Sequence, residues 1–151
     1  MKRALQLSAF CLLLTLFSCK TQESSTTKRK VKLNKTYTTE SGLQYMFTEL
    51  GSDLKAKNGD QVSIHNIGKL ADGKEFINSH KTGAPLTFVL GQEKIIKGLD
   101  EGIALLNEGD KAVFTIPAAL GYGSNEIPEL IPANSTLIFD VELVDVIPAG
   151  N

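Results

Sequence analysis

Hydrophobic positions along this chain change period several times, and each change predicts an element. Residues 61–67 alternate, with Val62, Ile64 and Asn66 on one side and Ser63, His65 and Ile67 on the other. That period of two predicts a strand whose inward row includes a polar residue, Asn66. Residues 111–116 repeat it with Ala112, Phe114 and Ile116 inward, and residues 136–147 with Leu137, Phe139, Val141 and Leu143 inward against Asp140 and Glu142. Shorter strands are predicted at 43–50, at 75–77 and at 85–90, where Leu86, Phe88 and Leu90 are in phase. Lys57-Asn58-Gly59-Asp60 and Ala71-Asp72-Gly73-Lys74 read as turns, and the polar run 78–84, carrying Gly83, as a loop.

Between these strands the period becomes helical. Ile96, Leu99, Ile103 and Leu106 fall on one face, with Lys97, Asp100, Glu101 and Glu108 on the other. Gly98 and Gly102 sit inside this helix, each costing about 1 kcal/mol relative to alanine. Such glycines predict close packing against a sheet or close approach by a ligand. Gly109 is placed for a left-handed residue past the helix end. Residues 117–135 form a long connection that is too apolar to be disordered. It carries Tyr122 between two glycines, a poor place for a core residue and a good one for a functional side chain. The pattern predicts an α+β domain over residues 41–151, a curved antiparallel sheet of five or six strands forming a half-barrel around one short helix.

The N-terminus has another character. Lys2 and Arg3 precede an apolar run, 4–18, too short to cross a bilayer comfortably, which predicts a secretory signal over residues 1–18. Its end, Leu16-Phe17-Ser18-Cys19, resembles the lipobox of bacterial lipoproteins, which implies that Cys19 is acylated, becomes the first residue, and holds the protein to a membrane of the bacterial cell envelope, at the outer membrane facing the periplasm or at the cell surface. Cleavage there removes Cys11 and leaves a single cysteine, so no intramolecular disulfide is expected. Residues 20–39 are polar, rich in Ser, Thr and Lys, and without apolar period, which predicts a flexible basic tether between Cys19 and the domain.

Charge adds little. The formal net charge is −1, and without Lys2 and Arg3 the count is 14 basic against 17 acidic residues, which gives no reason to expect nucleic acid as a partner. His65 lies on the outward row of its strand and His80 in a loop, without metal-ligand spacing. A monomer on a tether is expected.

The domain resembles the FKBP-type peptidyl-prolyl isomerases. The matching residues are Leu70, Asp72-Gly73-Lys74 and Phe76, then Pro85, Phe88 and Leu90-Gly91, then Ile95-Ile96, Gly98 and Glu101-Gly102. Ala119, Gly121-Tyr122-Gly123, Ile131-Pro132 and Thr136-Leu137-x-Phe139-Asp140-Val141-Glu142-Leu143 follow in order. The resemblance implies that proline-containing polypeptide segments are bound, with Phe76, Ile95, Ile96, Leu99, Tyr122, Ile131 and Phe139 as walls and with the Ile96 N–H and the Tyr122 hydroxyl donating to substrate carbonyls. It implies no metal and no cofactor. Rotation of an X–Pro amide faces a barrier of about 18–20 kcal/mol and needs only a dry pocket that favours the twisted, less polar amide. Tyr122, Ile96, Phe76 and Phe139 are the expected catalytic set, with Asn66, Ile77, Leu86, Ile95, Leu99, Ile127, Leu130 and Ile131 as further substrate contacts.

Some pocket positions depart from the family. Asn66 stands where an inward tyrosine is usual, Ile77 where an aspartate is, Leu86 in place of an aromatic wall, Leu99 in place of a tryptophan floor, and Ile127 where histidine is frequent. The expectation is an isomerase with reduced turnover and an altered preference for the residue before proline. The alternatives are a holdase that grips proline-containing segments without catalysis, and an accessory of an envelope secretion or motility complex.

Overall fold

The computed structural model describes residues 29–150. Seven strands form one sheet: β1 (Thr36–Thr38), β2 (Gln44–Glu49), β3 (Gln61–Leu70), β4 (Glu75–Asn78), β5 (Leu86–Val89), β6 (Lys111–Ile116) and β7 (Leu137–Ile147). Their order is β1-β2-β6-β7-β3-β4, with β5 also pairing β3, and every pairing is antiparallel. The strand β3 organises the sheet because it is long. Along one edge its first half pairs with β5 and its second half with β4, while its other edge runs the length of β7. The even burial of Val62, Ile64, Asn66, Gly68 and Leu70 follows from the alternation in the sequence. In β7 the alternation breaks at Val144 and Asp145, both exposed, beside an irregularity in its pairing with β3.

The helix that covers the sheet is α2 (Lys97–Ile103). It is shorter than the apolar period predicts. Ile96 is its N-cap, with extended φ −61° and ψ 144°, and Leu106 reaches the core from a tight turn beyond the helix. Leu99, Ile103 and Leu106 are nonetheless almost wholly buried, each contributing about 1.5–3 kcal/mol of apolar burial. The two helical glycines have the predicted role. A Cβ at Gly98 would lie 2.5 Å from Ile116 Cγ2, and one at Gly102 would lie 2.9 Å from the Phe114 ring. Their absence lets α2 sit down on β6. Gly109 adopts a left-handed φ of 81°, as expected, but in the turn before β6 rather than as the cap of α2.

Three further departures from the expectation have clear physical causes. The run 78–84 is not a plain loop: it contains one helical turn, α1 (Ser79–Thr82), because the Asn78 side chain accepts from the N–H groups of His80 and Lys81 and Gly83 closes the turn at φ 77°. His65 is half-buried rather than free on the surface, its ring stacked on that of His80 with centroids 4.3 Å apart. The third concerns the tether. Its residues 29–39 are docked: β1 pairs with β2, Asn34 N–H donates to Phe47 O at 2.8 Å, and Val31 packs against the core. Arg29 forms a two-armed ion pair with Asp110, at 2.6 and 2.8 Å. The Asp110 carboxylate is wholly buried and also accepts from the N–H groups of Gly51 and Asn107, both at 2.7 Å. The predicted signal and lipid-bearing Cys19 lie outside the described residues.

Candidate functional site

Where α2 begins, the sheet leaves a cavity of ≈ 300 Å³. It brings together all twelve residues singled out from the sequence: Asn66, Phe76, Ile77, Leu86, Ile95, Ile96, Leu99, Tyr122, Ile127, Leu130, Ile131 and Phe139. Lys94 also lines it. The depth of the cavity is apolar, with Leu99, Ile131 and Phe139 between 2 and 4 % exposed. Phe76 meets Phe139 edge-on, with centroids 5.6 Å apart at 83°.

That aromatic contact depends on a residue the sequence reading passed over. In β3, Gly68 lies between Ile77 of β4 and Phe139 of β7. A Cβ there would stand 2.6–2.8 Å from Ile77, Phe76 and Phe139. The two rings meet across the strand only because Gly68 has no side chain. An isolated glycine inside a strong alternation is the signal that points to such a close approach.

Two hydrogen-bond donors at the cavity have no partner among the described residues. Ile96 precedes the first turn of α2, so its N–H has no carbonyl behind it, and it donates to no group among the described residues. The loop leading to it is held where Gly91 N–H donates to Asp100 Oδ1 at 2.9 Å. Tyr122 is 36 % exposed, and its hydroxyl bonds to no side chain or backbone group among the described residues. Its backbone is fixed, since Gly121 and Gly123 N–H both donate to Ala118 O, at 3.0 and 2.8 Å, beside the short 3₁₀ turn Ala118–Leu120.

The outer wall is a closed loop. Ile127 and Ile131 exchange both backbone hydrogen bonds, at 2.8 and 2.9 Å, and Lys74 Nζ donates to Glu129 O at 2.8 Å. Lys94 is the one charged residue of the lining, which holds no carboxylate, imidazole or thiol. The perturbed ionisations lie away from it. The Arg29 guanidinium is held protonated by its bonds to Asp110, Lys69 is raised by Asp140, Lys111 is raised by Glu49, and the Glu75 carboxyl is lowered by its bond from Lys81.

A pouch of this kind, dry at its base and offering free donors without an acid, base or nucleophile, suits a domain that acts on the conformation of a polypeptide rather than on its bonds. Residues 52–144 match the family described as FKBP-type peptidyl-prolyl cis-trans isomerase, and the chain belongs to that family. It is 46 % identical over 111 residues to a probable FKBP-type peptidyl-prolyl cis-trans isomerase of Haemophilus influenzae, covering 74 % of this chain and 45 % of that protein. It is 42 % identical over 106 residues to FK506-binding protein 1A of Neurospora crassa, covering 70 % of this chain and 88 % of that one. The crystal structure of FkpA from Escherichia coli superposes with a TM-score of 0.71 at 43 % identity, over 78 % of this chain and 54 % of that chain. The chain thus spans about half of the bacterial relatives it matches and most of the small fungal one.

Proposed function

We propose that this protein catalyses cis-trans isomerisation of X–Pro bonds in polypeptides of the bacterial envelope. The observation that carries the reading is the pairing of an apolar base, formed by Leu99, Ile131 and Phe139, with two partnerless donors, the Ile96 N–H and the Tyr122 hydroxyl. The proline ring enters the base. There is little to hydrogen-bond there except the flanking carbonyls, which the two donors take. A planar amide is the more polar form, so a dry surround disfavours it relative to the twisted one, and the donors hold the carbonyls at the twisted angle. No proton, electron or group is transferred. Phe76 and Phe139 set the shape of the base, while Asn66, Ile77, Leu86, Ile95, Ile127 and Leu130 contact the segment on either side of the ring.

A protease-coupled assay with X–Pro peptides decides the matter. Acceleration above the uncatalysed rate is expected, and folded protein that leaves that rate unchanged would sink the reading. Because Leu99 offers a smaller floor than an indole, turnover is proposed to be modest.

A second reading has its own support. Ile77, Leu86, Tyr122 and Leu130 around the mouth are 36–45 % exposed, an apolar rim suited to holding unfolded segments. A holdase is diagnosed if Tyr122→Phe loses isomerisation yet still suppresses aggregation of a reduced client.

We further propose that the mature chain begins at a lipid-bearing Cys19 and works as a membrane-attached monomer. Lipidation adds about 0.8 kcal/mol per buried CH₂, so two chains anchor firmly. The experiment is fractionation of cells making Cys19→Ser, which is expected to release the protein from membranes. Retention of the variant there would remove the lipid from the proposal.

A further inference from the structure

One buried polar group in the wall of the cavity has no partner among the described residues. The side chain of Asn66 is 2 % exposed, and its Oδ1 is buried without a hydrogen bond. Its backbone is satisfied: the N–H donates to Ser79 Oγ at 2.8 Å, and the carbonyl accepts from the same hydroxyl. The side-chain amide takes part in none of the hydrogen bonds among the described residues. Of the residues that line the cavity beside it, Ile77 and Leu86 are aliphatic and Phe76 offers only a ring, while the nearby polar groups are engaged elsewhere: Asn78 Oδ1 with the N–H groups of His80 and Lys81, Ser79 Oγ with the Asn66 backbone, and Thr82 Oγ1 with Ser79 O.

Asn66 also stands at a junction. A second hollow of ≈ 410 Å³ shares Asn66, Phe76, Ile77 and Leu86 with the cavity and continues beneath α1, along Thr82, Ala84 and Pro85. A proline ring in the first chamber therefore has room beside it, past Asn66, for a neighbouring side chain.

We infer that Asn66 is a specificity-determining residue whose amide hydrogen-bonds the side chain of the residue before proline, so that the pocket favours X–Pro segments in which X is Asn, Gln, Ser or Thr. The inference rests on the isomerase reading of the same cavity. A buried amide left without a partner is costly to keep, and a ligand that completes it recovers that free energy on binding. The pyrrolidine ring offers neither donor nor acceptor, since its one heteroatom is an amide nitrogen without a hydrogen, so the contact must come from a neighbouring residue. The two partnerless donors, Ile96 N–H and Tyr122 hydroxyl, are suited to carbonyls, which leaves the side chain of X as the group able to enter the junction. An amide or hydroxyl there can both donate and accept, which suits the Asn66 amide in either orientation.

The test compares kcat/KM for peptides with X as Gln, Asn, Thr, Leu and Ala, using the full-length protein and its Asn66→Leu variant. In the wild type, the ratio of Gln to Leu is expected to exceed that in Asn66→Leu by about five- to tenfold, the effect of one neutral hydrogen bond. The same substitution is expected to leave Tm unchanged or to raise it, because an apolar side chain of similar volume replaces an unpaired amide. A merely structural asparagine would instead lower Tm and slow all substrates alike. A uniform loss across the series, or an unchanged Gln-to-Leu ratio, overturns the inference. Should leucine prevent folding, Asn66→Val carries the same comparison. Should the wild type turn over no peptide at all, the isomerase reading fails by itself, and Kd values for the same peptide series decide the inference, with the same fivefold difference in ratio expected.

Discussion

Of the five buried polar residues among those described, Asp60, Asn66, Ser79, Asn107 and Asp110, two have opposite surroundings. At the start of β6, Asp110 is wholly enclosed and accepts four hydrogen bonds, two from Arg29 and one each from Gly51 and Asn107. In the middle of β3, Asn66 is almost as deeply buried, and its Oδ1 accepts none. The first joins three stretches of chain far apart in sequence. The second faces a hollow. Asn107 Oδ1 is also buried without a partner, but its N–H and Nδ2 are bonded to Asp110 and Ser52, whereas no bond reaches any part of the Asn66 side chain among the described residues. The contrast separates the part of the molecule that maintains the structure from the part that meets a substrate.

The comparison can be broken at either end. The largest effect is expected from Asp110→Ala, which strips Arg29 and two backbone N–H groups of their acceptor. We expect a loss of about 3 kcal/mol in urea unfolding, and a loss below about 1 kcal/mol would mean that the node is not structural. Next comes Gly68→Ala, which forces a methyl between Phe76, Ile77 and Phe139. Overpacking of this kind costs about 1–3 kcal/mol, and kcat/KM is expected to fall further than stability does because the damage falls on the cavity wall. Full activity with altered stability would detach Gly68 from the site. Tyr122→Phe removes one donor, and a fall of about tenfold in kcat/KM with unchanged Tm is the expected signature. A Tyr122→Phe protein as active as the parent would leave the Ile96 N–H as the sole donor.

The smallest effect concerns a surface pair outside the cavity. The Glu75 carboxyl is lowered by its hydrogen bond from Lys81. Its contribution to stability is present above the ordinary carboxylate range and is lost as pH falls through the lowered value, from about pH 5 downward. Both partners are on the surface, so Glu75→Gln should differ only slightly from the parent above that range, and the difference should vanish in acid. A difference that grows on acidification would reverse the sign of the argument.

Much of this was legible in the sequence, for reasons that differ between elements. The long strands β3, β6 and β7 show themselves because one face is dry and the other wet, which imprints a period of two. Gly98 and Gly102 announced a close approach to α2, by a sheet or by a ligand, and the neighbours are Ile116 and Phe114 of the sheet. The sequence hid what depends on a partner elsewhere. The strand β1 lies in a basic, polar tract and exists because β2 offers an edge. The helical turn α1 is too short to have a period and is made by Asn78 and Gly83. The stacking of His65 on His80 joins a strand to that turn, and the Arg29–Asp110 pair closes 81 residues of chain. The cavity residues were found through resemblance rather than period. Nothing in the alternation told that Asn66 would be left without a partner, because that depends on the aliphatic Ile77 and Leu86 beside it in space.

The clamp at Arg29 also has a consequence for geography. If Cys19 carries lipid, only ten residue steps (29 − 19) separate it from the first docked residue, instead of the twenty or so that composition suggests. Fully drawn out, at about 3.5 Å per step, this stretch could not exceed roughly 35 Å. Asp110 precedes the first residue of β6, whereas the 3₁₀ turn leading to Tyr122 follows its last, so the Arg29 clamp and the tyrosine lie at opposite ends of that strand. A domain moored in this way would be confined to a thin layer of fluid along one membrane. Chains newly arrived at that surface would meet it far more often than chains already adrift.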